Sequence, residues 1–242
     1  MEQFIRTELL LGEENIEKLL TKHVLIFGVG GVGSFVCEAL ARTGIKNFTI
    51  VDGDTVDISN LNRQLIATNK TIGKYKVDVM KERILDINKD ASITTIKAFL
   101  LPSSLDNNLF KSCDYIVDCI DTIATKLAII EKAKELNIPI ISSMGTGNKL
   151  DPSKLSITDL SKTSMCPLAK VMRYELRKRG IKNLDVLYST EEPIKLSSNS
   201  LEQKLLEEKK DKRQIPGSII FVPSVAGILI ARHVVLNLIN FY

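Results

Sequence analysis

Cysteine is scarce in this 242-residue chain, and its spacing excludes one class of site. The four cysteines are Cys37, Cys113, Cys119 and Cys166, and no two of them form a C-x-x-C pair. Structural zinc sites are typically built from such close pairs, so the sequence predicts no zinc site. We instead expect three buried thiols and one loop thiol in a protein of the reducing cytosol.

Targeting signals are missing as well. The N-terminal stretch MEQFIRTELLLGEE has no basic segment followed by an apolar run, so we predict no signal peptide and a cytoplasmic location. The apolar stretch at 218–242 is split by Pro223 and carries Arg232 and His233. Its uninterrupted part is shorter than the roughly 20 residues that a bilayer requires. We therefore predict no membrane span, and interpret this stretch as a buried strand followed by a core helix.

Strong charge of either sign is also absent. The net charge is +4 and the pI is about 8.8, which permits contact with nucleic acid without requiring it. Hydrophobic residues make up 44% of the chain, enough for a substantial core.

What the chain does contain is an alternation of strand and helix patterns. Short apolar runs predict five strands, at 23–29, 47–52, 92–100, 115–121 and 138–144. Helical spacing predicts intervening helices at 32–44, 74–88 and 125–137; in the second of these Val77, Met80, Ile84 and Ile87 share one face. This order predicts an α/β fold, a Rossmann-like mostly parallel sheet with helices on both faces.

The second half is less regular. It contains a predicted helix at 168–181 and a strand at 185–190, while the highly charged segment 197–213 is expected to be a mobile loop or a short exposed helix. We predict a single domain, 1–242, with a nucleotide-binding half at 1–150 and a half for substrate and dimer contacts at 151–242.

A glycine-rich turn follows the first strand. The sequence GVGGVG contains Gly28, Gly30, Gly31 and Gly33 between a predicted strand and a predicted helix, the context that a dinucleotide or nucleotide fingerprint requires. Its free N–H groups and the helix dipole favour an anion. Asp52 ends the next strand, where a ribose-binding acid belongs. These two features alone also fit an NAD-dependent oxidoreductase.

The stretch VDGDTVDISNLNRQ adds polar residues that a dinucleotide does not require. They are Asp54, Asn60, Arg63 and Gln64, followed downstream by Lys76. A triphosphate carries more negative charge than NAD, and nucleotidyl transfer needs cations where charge develops at phosphorus. The alternative is that Arg63 and Lys76 are ordinary surface charges.

Two acids end the fourth predicted strand, in the sequence VDCIDT. Asp121 lies where open α/β sheets bind ligands, and its carboxylate suits Mg²⁺ bridging phosphate oxygens. Asp118 is expected to be structural and to face a backbone amide. Both acids could instead be helix N-caps.

Together, FGVGGVGS, VDGDTVDISNLNRQ, IGKYK and DCIDT resemble the ThiF/MoeB/HesA superfamily of ubiquitin-activating-enzyme-like adenylyltransferases. The resemblance covers most of the chain and implies a ThiF-type adenylating domain, ATP and Mg²⁺ as cofactors, and a homodimer. It assigns Asp52 to the ribose, Asn60, Arg63, Gln64 and Lys76 to the phosphates, and Asp121 to Mg²⁺. It also implies that an N-terminal arginine, here Arg6, reaches into the neighbouring protomer's site.

Within that superfamily, the sequences GTGNKLDPSKLSITDLSKTSMCPLAKVMRYELRKRGI and LYSTEEP resemble the branch of tRNA threonylcarbamoyladenosine dehydratases. The branch usually has an acid where this chain has Cys166, which argues against a role for Cys166 as a nucleophile. The resemblance implies ATP-dependent cyclisation of a modified adenosine in tRNA. A sulfur-relay protein partner is a further hypothesis that no motif of the chain identifies.

A tRNA substrate requires basic surface, and the predicted helix at 168–181 and the residues just after it supply cations. They are Lys170, Arg173, Arg177, Lys178, Arg179 and Lys182. An ordinary solvated helix face would have the same composition. Three other functions also remain open: activation of the C-terminus of a small sulfur-carrier protein, NAD-dependent oxidoreduction, and binding without catalysis.

Overall fold

Seven strands form one sheet in the computed structural model of the protein, which describes residues 2–195 and 216–241. The strands are β1 His23–Phe27, β2 Asn47–Val51, β3 Ser92–Ile96, β4 Tyr115–Asp118, β5 Ile140–Ser143, β6 Leu155–Asp159 and β7 Asp185–Ser189. Their order is β3-β2-β1-β4-β5-β7-β6, and every pair is parallel except β6 with β7. The predicted mostly parallel sheet is confirmed.

Helices connect most of the parallel strands. The helices of the described residues are α1 Ile5–Leu11, α2 Glu13–Thr21, α3 Gly33–Arg42, α4 Lys76–Ile87, α5 Ile123–Glu135, α6 Pro167–Lys178 and α7 Phe221–Leu238. Helices α3 to α6 lie in connections between strands, whereas α1 and α2 precede β1 and α7 follows β7. The face predicted for the second helix is confirmed, because Val77, Met80 and Ile84 of α4 are buried and Ile87 packs against the same cluster.

The core has one layer on each face of the sheet. Side chains of a strand alternate between its faces, so Val24 and Ile26 of β1 join the cluster formed with α3, α4 and α7. Leu25 and Phe27 join the cluster formed with α5 and α6. Strands buried on both faces read as continuous apolar runs, which is why the sequence revealed them.

The chain order reverses between β1 and β4. From β1 the chain first builds β2 and β3 on one side, and β4, β5 and β7 then extend the other side. The connections leave a crevice at the carboxyl ends of the strands where this reversal occurs, and such crevices bind ligands in open α/β sheets.

The prediction for the C-terminal stretch is wrong in one respect. Residues 218–222 form no strand; helix α7 already begins at Phe221, and Pro223 lies in its first turn. The first four N–H groups of a helix lack intrahelical partners, so proline is tolerated there and does not separate two elements.

Helix α7 is also long and apolar enough to cross a membrane, by length and composition alone, with a mean hydropathy of 1.6. It packs closely on α3: a Cβ added at Gly227 would lie 2.6 Å from the main-chain oxygen of Val32. Val222, Ala226, Ile230 and Val234 are buried. This packing is that of a core helix, so its composition is weak evidence for a span.

Other differences concern element ends and short elements. Strand β3 ends at Ile96 instead of continuing to residue 100, and β6 was not predicted. Two cysteines, Cys37 and Cys166, are buried, whereas Cys113 and Cys119 are half-buried, so the expected division into three buried thiols and one loop thiol is wrong. The segment predicted at 197–213 lies outside the described residues.

Candidate nucleotide site

A cavity of about 590 Å³ occupies the crevice at the strand reversal. Its size is that of a small-molecule site. Its lining comes mainly from the segments that follow β1, β2, β3 and β4, together with the start of α4; Thr146 after β5 and Ser218 and Pro223 near the start of α7 complete it. Ten of the residues predicted to bind the cofactor line it: Gly28, Gly30, Gly31, Asp52, Asp54, Asn60, Arg63, Gln64, Lys76 and Asp121.

The glycine turn has the geometry that its sequence predicts. Gly28 has φ +88°, and a Cβ added at Gly33 would lie 1.8 Å from the Gly28 carbonyl oxygen, so the turn closes tightly onto the start of α3. At Gly30 the nearest atom to an added Cβ is Gln64 Nε2, 3.9 Å away. The backbone at Gly30 is therefore accessible from the cavity. Gly33 instead allows the start of α3 to pack closely on the turn.

Asp52 ties the glycine turn to the segment after β2. Its Oδ2 accepts a hydrogen bond from the Val29 N–H at 2.7 Å, and its Oδ1 accepts from the Asp54 N–H at 2.9 Å. The carboxylate is fixed in orientation at the end of β2. Each oxygen keeps a free lone pair, so the group can also accept from ribose hydroxyls.

A short helical turn presents Arg63 and Gln64. Asp57 caps the short helix Ile58–Asn60 through Oδ1, which accepts from the Ser59 N–H at 2.8 Å, and Asn60 Oδ1 accepts from the Asp57 N–H at 3.1 Å. The Gln64 N–H then donates to the Asn60 carbonyl at 2.9 Å. Arg63 Nη1 donates to the Ser59 carbonyl at 2.7 Å and to Asn62 Oδ1 at 2.9 Å. Burial lowers the pKa of the Arg63 guanidinium from its usual value, but it stays charged at neutral pH.

Lys76 is the first residue of α4 and is almost completely buried. The loop that carries it is joined to the segment after β2, since the Lys76 N–H donates to the Asp54 carbonyl at 3.0 Å. Its ammonium group pairs with Asp54 Oδ2 at 2.7 Å. The side chains of Lys76 and Asp54 are 6% and 52% exposed, so the lysine is enclosed while the acid remains accessible to solvent.

The two acids after β4 have different environments. Asp121 is exposed and lines the cavity. Asp118 is fully buried and its Oδ1 accepts from the Ile120 N–H at 3.3 Å, which confirms the expected contact with a backbone amide. It also pairs with Lys126, a contact that the sequence pattern did not suggest.

The residues present fit a nucleoside triphosphate. Gln64 Oε1 is buried and has no hydrogen-bond partner within the described part of the chain, although it belongs to a cavity-lining side chain. An unpaired buried acceptor is costly unless a ligand or water donates to it. Arg63 and Lys76 supply two cations beside the open backbone of the glycine turn, as a polyphosphate requires.

The residues also fit a Mg²⁺ ion held mainly by phosphate oxygens. No group of three or more His, Cys, Asp or Glu side chains in the described ranges could hold a metal by itself. Mg²⁺ characteristically binds one or two carboxylates together with substrate phosphates, and Asp121 can supply one carboxylate.

Sequence reasoning missed the wall of the cavity after β3. Ala98, Phe99, Leu100 and Leu101 all line it, and Phe99 lies against the backbone of Gly53. Phe99 is 73% exposed, so it offers a free apolar ring at the cavity mouth. The sequence pattern predicts Ala98, Phe99 and Leu100 as part of the strand, but pairing ends at Ile96, so they and Leu101 lie beyond the carboxyl end of β3, where open α/β sheets bind ligands.

Arg6 and the basic helix are separate from the cavity. Arg6 is exposed on α1 and does not line it. On α6, Arg173 Nη1 donates to the Thr163 carbonyl at 2.9 Å, and Arg179 pairs with Glu131 and Glu175. Arg177 and Lys178 are exposed, and Lys178 lies 4.0 Å from the centre of the Tyr174 ring.

These features, a glycine turn, a ribose-type acid and two cations at the reversal of a parallel sheet, define a nucleotide-binding α/β domain. The chain belongs to the ThiF family, whose sequence model matches residues 4–240. It is 43% identical over 243 residues to the tRNA threonylcarbamoyladenosine dehydratase of Bacillus subtilis (strain 168), covering 99% of this chain and 96% of that protein. The enzyme of the same name from Escherichia coli (strain K12) is 35% identical over 198 residues, covering 78% and 74%.

Solved structures agree with the sequence relatives. The crystal structure of E. coli tRNA N6-threonylcarbamoyladenosine dehydratase in complex with ATP superposes with a TM-score of 0.87 and 29% identity, covering 99% of this chain and 95% of that one. Its complex with AMP gives a TM-score of 0.88. The fold and the family resemblance predicted from the motifs are thus confirmed.

Proposed function

We propose that this protein uses ATP to dehydrate, and thereby cyclise, threonylcarbamoyladenosine in tRNA. Identity of 43% along nearly the whole length of an enzyme so named supports this function, as does the match to an ATP-bound structure. The observation that carries the proposal is the convergence of the glycine turn, Arg63 and Lys76 on one cavity.

The reaction needs a better leaving group. The carboxylate of the modified adenosine is unreactive because oxide would have to leave. When a carboxylate oxygen attacks the α-phosphorus of ATP, pyrophosphate departs and an acyl adenylate forms. An internal nitrogen or oxygen of the modified base then attacks the acyl carbon, its proton is lost, and AMP leaves. The net change is loss of one water and cleavage of ATP to AMP and pyrophosphate.

The side chains bind and orient the nucleotide. The glycine turn offers its N–H groups to the phosphates, Asp52 accepts from the ribose, and Arg63 and Lys76 offset the negative charge that grows as pyrophosphate leaves. Gln64 and Asn60 complete the polar wall. Asp121 would hold Mg²⁺, which when bound would neutralise phosphate charge. Positioning and charge stabilisation account for most of the catalysis in this scheme.

Mass analysis of nucleosides tests the function. Unmodified enzyme and ATP, incubated with tRNA that carries the open adenosine, should convert it to a product lighter by one water, while reactions without ATP should not. An unchanged nucleoside together with ATP–pyrophosphate exchange that depends on a Gly-Gly-ended carrier protein would replace this function with carrier activation.

The surface of α6 is the proposed contact with tRNA phosphates. Four exposed residues spaced for one helix face carry it: Lys170, Tyr174, Arg177 and Lys178. Arg173 and Arg179 are already engaged within the protein, and Lys178 pairs with Glu175 at 3.3 Å, so these three contribute less than the sequence suggested. An exposed tyrosine among cations also suits stacking on an unpaired base.

Replacement of Arg177 by alanine should raise KM for tRNA and reduce the slope of log affinity against log salt by about one. The KM for ATP should not change. Lys89→Ala, an exposed cation at the far end of α4, is the matched control and should leave the salt slope unchanged. Equal slopes for both variants would exclude α6 from the interface.

We further propose a homodimer in which Arg6 completes the partner protomer's site. Helix α1 buries none of its own residues within the described chain, and Leu9 and Leu10 are 83% and 79% exposed. If Arg6 acts across the interface, mixing inactive Arg6→Ala with inactive Lys76→Met protein should restore activity, because one site of each mixed dimer has both residues. Arg6 acting in its own protomer would give no recovery. A cytoplasmic location is proposed with this function.

A further inference from the structure

An ion pair lies completely buried beneath the floor of the nucleotide cavity. The side chains of Lys126 and Asp118 are both 0% exposed, and Lys126 Nζ lies 2.7 Å from Asp118 Oδ2. The same carboxylate oxygen accepts a hydrogen bond from Ser142 Oγ at 2.6 Å. Asp118 ends β4, Ser142 lies opposite it on β5, and Lys126 is the fourth residue of α5.

Such a pair is poorly explained as a device for stability. Removing two charges from water is costly, and well-packed apolar residues of similar size often stabilise a protein as much or more. None of the substrate-binding roles described above uses Lys126, which is not part of the cavity lining. A buried charged network beside the cavity therefore indicates a role other than stabilising the fold.

The network holds both main-chain groups of one residue. The Ile120 N–H donates to Asp118 Oδ1 at 3.3 Å, and Lys126 Nζ donates to the Ile120 carbonyl at 3.1 Å. Ile120 lies between Cys119 and Asp121 and, like them, lines the cavity. With its N–H and its carbonyl fixed, the peptide plane that leads into Asp121 has little freedom to rotate.

We propose that Lys126, acting with Asp118 and Ser142, is a positioning residue that sets the orientation of Asp121 for nucleotidyl transfer. The same segment packs on the glycine turn, because a Cβ added at Gly28 would lie 2.9 Å from the Cys119 carbonyl oxygen. One buried charged network thus aligns the acid and supports the turn that binds phosphate. This role rests on the proposed function of Asp121.

Two variants weaken the network to different degrees. Ser142→Ala removes one hydrogen-bond donor and leaves the ion pair. The double variant Asp118→Asn with Lys126→Met removes both charges together, so no lone charge stays buried. Each is made in the unmodified protein and in an Asp121→Ala background, and kcat for ATP turnover with tRNA is measured against Mg²⁺ concentration.

If the network acts through Asp121, its loss should matter only when Asp121 is present. We expect kcat to fall about tenfold and the Mg²⁺ dependence to shift to higher concentration in the unmodified background, with less than about a twofold further change in the Asp121→Ala background. If loss of the network lowered kcat by the same factor with Asp121 present and with Asp121→Ala, the proposal would be overturned. A soluble Ser142→Ala enzyme with unaltered kcat and Mg²⁺ dependence would also overturn it, whether or not the double variant folds.

Amide hydrogen exchange tests the positioning without any turnover. The Ile120 amide and its neighbours should exchange about tenfold faster in both variants, whereas peptides from α3 and α4 should not change. Arg83→Met, which breaks the half-buried pair with Glu38 on the α3–α4 side, is the control and should leave exchange at Ile120 unchanged. Unaltered exchange at Ile120 would overturn the positioning role. Absence of ATP turnover in unmodified enzyme would instead contradict the proposed function.

Discussion

Two lysine–aspartate pairs of the same length lie near the nucleotide cavity, and they differ in burial. Lys76 and Asp54 are 2.7 Å apart with an acid that is 52% exposed, whereas Lys126 and Asp118 are 2.7 Å apart with neither side chain exposed. In the first pair water can solvate the exposed acid, so Asp54 can be displaced from the lysine by a phosphate. In the second pair neither charge can separate without high cost.

The difference teaches that a short distance does not define the role of an ion pair. A pair whose acid is half exposed can be rearranged by a ligand, because the displaced acid is hydrated. A fully buried pair fixes the positions of the backbone groups that it contacts. We therefore propose that the exchangeable pair serves ATP binding and that the fixed pair holds the surrounding backbone. Removal of the first pair should mainly reduce activity, and removal of the second should mainly reduce stability.

The largest effect on activity is expected from Lys76→Met. The substitution keeps much of the packing of the side chain but removes the cation beside the phosphates, so ATP turnover should fall by about two orders of magnitude or more. The free energy of unfolding should change less than in Lys126→Met, because the acid left behind, Asp54, is 52% exposed and stays hydrated. Lys74→Met, an exposed neighbour that does not line the cavity, is the matched control. If Lys76→Met turned over ATP normally, Lys76 would be a scaffold residue.

The largest effect on stability is expected from Lys126→Met alone. It leaves the Asp118 carboxylate buried without its cation, a change that costs about 3–5 kcal/mol. For a domain of this size each kcal/mol lowers Tm by about 2–4 °C, so thermal unfolding should begin clearly earlier. Lys132→Met on the same helix breaks a pair with exposed Glu135 and serves as the control. Equal Tm values for the two variants would remove the distinction between the pairs.

A smaller effect is expected from Asp52→Asn. The amide keeps an oxygen acceptor for one of the two main-chain N–H groups but loses charge and one acceptor position toward the ribose. ATP affinity measured by calorimetry should weaken by about tenfold, while kcat at saturating ATP should change less. Asp86→Asn, on the exposed side of α4, should bind ATP normally. Unchanged affinity in Asp52→Asn would leave Asp52 with a purely structural role.

The sequence allowed prediction of those parts of the molecule that depend on local pattern. Buried parallel strands and the glycine turn have strong signals, and the positions of Asp52, Arg63 and Lys76 followed from motif spacing and family resemblance. The sequence did not indicate a role for Lys126, because a lysine in a helix of mixed composition is typical of a surface residue. Its burial depends on the β4–β5 register that brings Asp118 and Ser142 together, and that register is not local.

Helix α7 illustrates a second limit. Proline in an apolar run predicts a break, but the same residue is compatible with the first turn of a helix, and only packing on α3 decides where the helix begins. The wall formed by Phe99–Leu101 was missed for a related reason. An apolar run does not show where a strand stops pairing, and residues beyond that point become part of the cavity.

The smallest expected effect is on cysteine reactivity, which distinguishes the role of the Lys126–Asp118 pair from that of the Lys76–Asp54 pair. Burial, followed by the nearby Asp118 carboxylate, raises the pKa of the Cys119 thiol to about 12, and burial raises that of Cys113 to about 11. Alkylation requires the thiolate, so at pH 8 both should react slowly and faster as pH rises. The Lys126 charge lowers the pKa of Cys119, so its loss alone would slow labelling. Peptide mapping after brief treatment with iodoacetamide should nevertheless show faster labelling of Cys119 in Lys126→Met, because greater access to the loosened segment outweighs this effect, but not in Lys76→Met. ATP should protect Cys119 and leave Cys113 unaffected, because only Cys119 lines the cavity. Equal labelling of Cys119 in the two variants would mean that the buried pair does not hold the floor in place.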